Sequence, residues 1–219
     1  MICSAVLAIV ALMAVSTTAT FHAATGMYST CAAYGGQAKC WGDNEFGTCG
    51  LDLDGDVQIW EPQDNAIDFG SDPEFAVESV GCGDTFCCGL STGKEVKCWG
   101  LCSHAGCTGH SVGNGKDDDP DYSIMNMDEL PSASVSNVLE MMVLRTMTCV
   151  LEDDAGQYAI ECFGEDETSS FWDGGARKSD EPFQLDVSGI SSWDQVSGLG
   201  GGYNTLCAFD STTAGDVHC

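Results

Sequence analysis

The sequence predicts an all-β protein built from repeated antiparallel sheets, and three observations carry that prediction. A Cys-Trp-Gly step recurs: Cys40-Trp41-Gly42, then Cys98-Trp99-Gly100, then Cys162-Phe163-Gly164, with Cys219 standing where a fourth would begin. A second cysteine precedes each step, at Cys31, Cys88, Cys149 and Cys207. An apolar stretch lies ahead of the later pairs, at Phe75 to Val80, Val138 to Leu144 and Trp193 to Val196. Each unit therefore holds at least three strands. Self-similarity at a period of this size marks a repeat architecture.

The chain opens with a segment that is not part of the repeats. In residues 1–19 the run Ala5 to Val15 is apolar, about as long as the core of a signal peptide and too short to span a bilayer. Thr17 and Ala19 supply small residues at the −3 and −1 positions of a cleavage site, although no Lys or Arg precedes the run. An exported chain keeps disulfides that the cytosol would reduce, which suits fourteen cysteines.

The hairpins follow in order. Tyr34-Gly35-Gly36-Gln37 is a two-residue turn, because glycine accepts the positive φ such turns need. Counting outward from it places Cys31 opposite Cys40. In the second unit the loop Thr92-Gly93-Lys94 places Cys88 opposite Cys98. A four-residue loop, Asp154 to Gln157, places Cys149 opposite Cys162, and Ser211 to Gly215 places Cys207 opposite Cys219. Loop length changes from unit to unit while the facing of the cysteines does not. The register therefore predicts four cross-strand disulfides, since facing residues lie within bonding reach. Cys49, Cys82, Cys87, Cys102 and Cys107 remain, and their pairing is not fixed by spacing; links between neighbouring sheets are one arrangement open to them.

Antiparallel sheets recurring in this way predict propeller blades, each burying its faces on its neighbours. The units fall near residues 20–51, 75–109, 138–175 and 193–219, within a propeller region of 20–219. Three hairpins are complete and the fourth ends on its second strand, so a partial β-propeller of three to four blades is expected, an open arc and not a ring. Such an arc leaves terminal faces uncovered, and the chain reads as a fragment of a longer protein. The acidic stretches 52–74 and 110–134 are expected to be exposed loops.

The first unit carries a resemblance to a known family. Tyr28-Ser29-Thr30-Cys31-Ala32, followed by Cys40-Trp41-Gly42-Asp43-Asn44-Glu45-Phe46-Gly47-Thr48-Cys49-Gly50, resembles a regulator of chromosome condensation repeat, with its Trp-Gly-x-Asn-x-x-Gly-x-x-Gly pattern complete. The second unit keeps Cys98-Trp99-Gly100 and Gly106-x-x-Gly109 with one extra residue between them. Where the family often has His two positions before the first cysteine, this chain has Ser29, Phe86, Met147 and Thr205. The resemblance implies a β-propeller that binds proteins. Exchange-factor activity on a nuclear GTPase requires a complete ring and is not carried over. Secreted and cell-surface relatives, the crinkly-type receptor ectodomains and the β-lactamase inhibitor protein of this fold, imply an extracellular binding role.

Charge narrows the partners. With 34 acidic and 7 basic side chains the net charge is −27, which repels phosphate backbones and anionic lipid and argues against nucleic acid and membrane surfaces. No segment reaches the length of a membrane span. Three patterns invite a chemical reading. Gly89-Leu90-Ser91-Thr92-Gly93 matches a nucleophile-elbow pattern, but the elbow needs a strand, a turn and a helix, and here a hairpin returns instead. Cys98, Cys102, His104, Cys107 and His110 have zinc-like spacing, but the register already commits Cys98 to Cys88. Asp52, Asp54 and Asp56 place three carboxylates in one turn, the hard-oxygen donor set that calcium takes, although the following glycine is one place early for an EF-hand.

The expected function is that of a secreted, disulfide-stabilised, non-enzymatic protein-binding module that needs no cofactor, calcium at the aspartate turn excepted. The alternatives are a receptor ectodomain and a secreted hydrolase or lectin-like protein. For the aspartate turn, calorimetry is expected to register calcium heats for the native chain that disappear in Asp52→Ala/Asp54→Ala; equal heats for both would remove the site.

Overall fold

The structure, a computed structural model, describes residues 21–44, 47–50, 58–69, 75–100, 135, 137–154, 157–166, 177–185, 196–203, 205–210 and 217–219. These residues form four antiparallel sheets. Blade 1 contains β1 (Phe21–Thr25), β2 (Ser29–Tyr34), β3 (Gln37–Asp43) and β4 (Gln58–Ile59), hydrogen-bonded in that order. Blade 2 contains β5 (Val77–Cys82), β6 (Phe86–Ser91) and β7 (Val96–Gly100). Blade 3 contains β8 (Val138–Val143), β9 (Met147–Asp154), β10 (Gln157–Asp166) and β11 (Arg177–Gln184). Blade 4 contains β12 (Val196–Gly202), β13 (Thr205–Asp210) and β14 (Val217–His218). The first strands β1, β5, β8 and β12 pack one on the next. The described residues are all-β, a partial propeller without a closed ring.

Each hairpin is locked at the same rung. Cys31 faces Cys40, Cys88 faces Cys98 and Cys149 faces Cys162 in the strand register, and each pair is bonded. Cys207 and Cys219 are bonded one rung beyond the pair Ala208 and His218. The Cα separations are 4.0–4.1 Å, as close facing on an antiparallel ladder requires. A fifth disulfide, Cys82–Cys87, joins β5 to β6 within blade 2 and does not link neighbouring blades. Cys49 is a buried free thiol. Cys3, Cys102 and Cys107 lie outside the described residues, as do residues 1–19.

Two boundaries differ from the sequence reading. In blade 3 the ladder continues to the pair Asp154 and Gln157, two residues that the spacing assigns to the loop. In blade 4 the described first strand is Val196–Gly202, running on from the last residue of the expected stretch, whose residues 193–195 lie outside the described ones. Its sequence, VSGLGGG, is dominated by glycine and shows neither an apolar run nor alternation, so hydrophobicity alone does not reveal it.

The core is divided into three wedges, one at each joint. Between blades 1 and 2 lie Ala33, Ala38, Ile59, Ile67, Phe69, Phe75, Val77, Val80 and Trp99 with several cysteines. Between blades 2 and 3 lie Phe86, Leu90, Val96, Val138, Val150 and Phe163. Between blades 3 and 4 lie Leu144, Met147, Leu151, Ile160, Val196, Leu199 and Leu206. Strand alternation distributes neighbours to opposite wedges: Cys98 enters the second and Trp99 the first, Cys162 the third and Phe163 the second. Trp99 and Phe163 are fully buried, whereas Trp41 is only half-buried. Trp41 packs against the first wedge only from its margin. The 52–74 stretch is not simply an exposed loop either. Ile59, Ile67 and Phe69 are buried, and Ile67 N–H donates to the Ala38 carbonyl at 2.8 Å. These three residues of the acidic segment help to fill the first wedge, while Trp60 stays exposed.

The glycine of each Cys-Trp-Gly step has a backbone reason. Gly42 and Gly100 have φ of 123° and 111°. A Cβ on Gly42 would lie 2.3 Å from the Tyr28 carbonyl oxygen, and one on Gly100 2.5 Å from that of Thr85, so only glycine fits.

Trp99 fixes the first wedge in orientation as well as volume. Its ring meets Phe69 edge-on at 5.5 Å, and its indole N–H donates to the Thr48 carbonyl at 2.9 Å. Trp99→Ala is expected to destabilise the chain by about 3–5 kcal/mol in urea denaturation. Trp41→Ala should cost less than half as much, because that ring is only partly buried at the wedge margin. Equal losses would contradict the wedge assignment.

Candidate functional site

The turns joining each first strand to the next strand line up along one end of the arc. In sequence they are Gly26-Met27, Gly83-Asp84, Leu144-Arg145 and Gly202-Tyr203, each ending four residues before the first cysteine of its unit. Three of them close with the same backbone bond, Gly26 N–H to the Ser29 carbonyl, Gly83 N–H to Phe86 and Leu144 N–H to Met147, at 2.8, 2.9 and 2.8 Å. Each of these three turns then donates to the next blade. Met27 N–H bonds the Gly83 carbonyl, Asp84 N–H that of Arg145, and Arg145 N–H that of Tyr203, at 3.2, 2.8 and 2.8 Å. Glycine at 26 and 83 permits this approach. A Cβ on Gly26 would sit 2.1 Å from the Gly83 carbonyl oxygen, and one on Gly83 2.6 Å from that of Arg145.

The second residue of each turn lines the cleft, and together they form a row of mixed chemistry: Met27, Asp84, Arg145, Tyr203. Arg145 occupies its centre. Its Nε donates to Asp84 Oδ2 at 2.6 Å, and its guanidinium carbon lies 5.1 Å from the centroid of the Tyr203 ring. One side chain of blade 3 thus ties blades 2 and 4. Tyr203 and Met27 remain 64% and 62% exposed, and Tyr28 is exposed beside them. Below the rim the first strands line a cleft of about 1110 Å³ that carries His22, Glu78 and Glu140.

Two of those side chains hold the blades in register. Glu140 Oε2 accepts from Leu199 N–H at 2.8 Å, and His22 Nδ1 accepts from Val80 N–H at 3.3 Å. His22 and Glu140 stand three residues before the corresponding strand ends, Thr25 and Val143. The same device therefore joins blade 1 to 2 and blade 3 to 4. The cleft offers acceptors and one guanidinium, with exposed apolar and aromatic side chains at its edge. That is an inventory for recognition.

Of the site residues singled out in the sequence, Ser91 and Cys98 are described and do not line this cleft. Ser91 is buried at the end of β6, and its hydroxyl accepts from Glu95 N–H at 3.1 Å, so it shapes a turn. Cys98 is bonded to Cys88, while Cys102, His104, Cys107 and His110 lie outside the described residues. Asp52, Asp54 and Asp56 lie outside them too. Burial pushes the Cys49 thiol up to about 11; its Thr48 hydrogen bond opposes the rise and the Asp43 charge adds to it. Cys49 is therefore a neutral, poorly nucleophilic thiol near pH 7. Sequence reasoning missed Asp84, Arg145 and Tyr203. The signal was the recurring position just after Gly26, Gly83, Leu144 and Gly202, where four different residue types stand and no motif is visible.

Comparison with solved structures decides the architecture. Human WBSCR16 superposes with a TM-score of 0.67 at 16% identity, covering 88% of this chain. Prp20p of Saccharomyces cerevisiae, described with its binding properties to Gsp1p and histones, gives 0.61 at 13% identity over 87%. Yeast RCC1 (Prp20) in a structure with Kap60 bound gives 0.58 at 13% identity over 92%. The fold is that of a regulator of chromosome condensation-type β-propeller. The chain spans 46, 41 and 44% of those three proteins, less than half of each. No family model matches the sequence, and no curated protein does.

The rim pair is expected to be coupled energetically. A double-mutant cycle on Asp84→Ala and Arg145→Ala should give about 1 kcal/mol of interaction free energy in urea denaturation. High salt should reduce it, since the pair is partly solvated. A coupling energy of zero at low salt would show that the contact is incidental.

Proposed function

We propose that this chain is an exported, non-enzymatic protein-binding module whose recognition surface is the rim formed by Met27, Tyr28, Asp84, Arg145 and Tyr203. The observation that carries this reading is the exposure of Tyr203 and Met27 around the Arg145 guanidinium. Tyr, Arg and Met are the residue types enriched where proteins bind one another, and an aromatic ring already ordered by a neighbour costs little entropy to engage. Support also comes from the fold, because two solved neighbours are described with protein partners, Gsp1p and histones for one and Kap60 for the other. Five described disulfides favour an oxidising compartment, and the apolar run in residues 1–19 supplies a means of reaching it.

Charge specifies the partner further. A surface with net charge −27 attracts cationic ligands over distance and repels acidic ones. Glu78 and Glu140 place carboxylates in the cleft behind the rim. The partner is accordingly a basic polypeptide segment carrying an apolar or aromatic anchor.

An array of basic peptides with and without an aromatic anchor, read by fluorescence polarisation, tests this. Tyr203→Ala is expected to weaken the best binder at least about tenfold, an effect on the scale of an interface hot spot. Trp60→Ala, just beyond the outer strand of blade 1, should leave it unchanged. Mass spectrometry of the chain recovered from a secreting host should give a mature N-terminus at Thr20. Binding indifferent to Tyr203→Ala, or turnover of ester, peptide or glycoside substrates, would overturn the reading.

A further inference from the structure

The first wedge brings two disulfides into contact. Cys31–Cys40 crosses β2 and β3 of blade 1, and Cys82–Cys87 crosses β5 and β6 of blade 2. The two bonds meet across the joint. Cys31 Sγ lies 3.5 Å from Cys87 Sγ, and the sulfurs of Cys31, Cys82 and Cys87 all lie within 4.8 Å of one another. Cys40 Sγ, bonded to Cys31, adjoins that group of three. Among the described residues these three cysteines are the one group of three or more metal-ligating side chains so gathered. The four cysteines are buried, and the Ser29 hydroxyl lies 3.4 Å from Cys87 Sγ.

We propose that Cys31, Cys40, Cys82 and Cys87 form a redox-gated metal site, in which the reduced chain holds one thiophilic divalent ion such as zinc between blades 1 and 2. The donor set is right for such an ion. Four thiolates satisfy a tetrahedral structural zinc site, with zinc–sulfur distances of about 2.3 Å and sulfurs therefore roughly 3.8 Å apart. The 3.5 Å approach of Cys31 and Cys87 is already near that spacing. Facing residues on an antiparallel ladder project to the same side, so each hairpin delivers two sulfurs to one face of the joint. Ser29 is placed to donate a hydrogen bond to the Cys87 thiolate, the outer-sphere support that such sites use.

The chemistry balances through an external dithiol. Two dithiol molecules reduce the two disulfides, giving four protein thiols and two oxidised dithiols, with four electrons transferred. Binding one divalent ion then releases four protons and leaves a tetrathiolate of net charge −2. Ion and disulfides exclude one another, because each sulfur bonds either its partner or the metal. Oxidation ties each hairpin to itself. Reduction with metal ties blade 1 to blade 2.

Cobalt(II), which reports tetrathiolate ligation through visible ligand-field bands and thiolate-to-metal charge transfer, is the probe. The full chain is reduced anaerobically with dithiothreitol, desalted, and titrated with cobalt(II) while circular dichroism follows the fold. The expected result is a tetrathiolate spectrum that saturates at one ion per chain and is displaced by zinc. The oxidised chain should show no spectrum. Cys31→Ala/Cys87→Ala, which removes one sulfur from each hairpin, should lose it, and Cys149→Ala/Cys162→Ala should keep it. If reduction unfolds the chain, cobalt is expected to restore the native dichroism. Absence of the spectrum in the reduced native chain, failure of cobalt to refold it, or an undiminished spectrum in Cys31→Ala/Cys87→Ala would each overturn the proposal.

Discussion

A sheet of three or four short strands has two faces, and neither can be buried except against another sheet; the rest of the structure depends on that constraint. The three apolar clusters all lie at joints between blades, not inside a blade. Apolar burial is the main favourable contribution to folding. Here it is divided into three wedges, so the stability of each sheet is inseparable from that of its neighbours, as in other stacked repeats. The turns add a backbone bond at every joint, and these bonds fix how far one blade can slide on the next. Trp99 shows how volume and direction combine. Its ring fills the first wedge, while its N–H reaches a carbonyl in the preceding unit's loop.

Much of this is legible in the sequence because its signals are local. Facing across a hairpin follows from turn residues and simple counting, so the Cys31 and Cys40 rung can be placed from the residues alone. The same count places Cys149 opposite Cys162 even though it makes the loop too long, since extending both strands by one rung preserves the facing. What is not legible is non-local. β12 is glycine-rich, and its identity as a strand comes from pairing with β13, which no hydrophobic period records. Ile67 and Phe69 sit in an acidic segment that reads as solvated, yet the wedge needs their volume.

The rim is hidden for a related reason. Met27, Asp84, Arg145 and Tyr203 share a position in the repeat but not a chemistry. The repeat fixes the scaffold, through glycine at 26 and 83, and leaves the following residue free to vary. Arg145 shows what variation permits: in a chain with 7 basic side chains against 34 acidic, it has an acidic neighbour on one side and an aromatic ring on the other. Its charge is matched locally, while the surrounding field stays negative.

The placement of the covalent ties has a mechanical consequence. All five described disulfides lie within blades, and none of the five crosses a joint. Tension applied along the backbone would therefore part blade from blade while each second-to-third-strand hairpin kept its length. The first strands would peel next, because none of those five disulfides reaches β1, β8 or β12. In blade 2 peeling of β5 from its Val77 end would stop at Cys82, since Cys82–Cys87 closes the β5–β6 turn while Cys88–Cys98 anchors β6 to β7. The stretch from Cys82 to Cys98 is thus the least extensible link among the described residues, held by two adjacent covalent ties after the free strand ends had yielded to force.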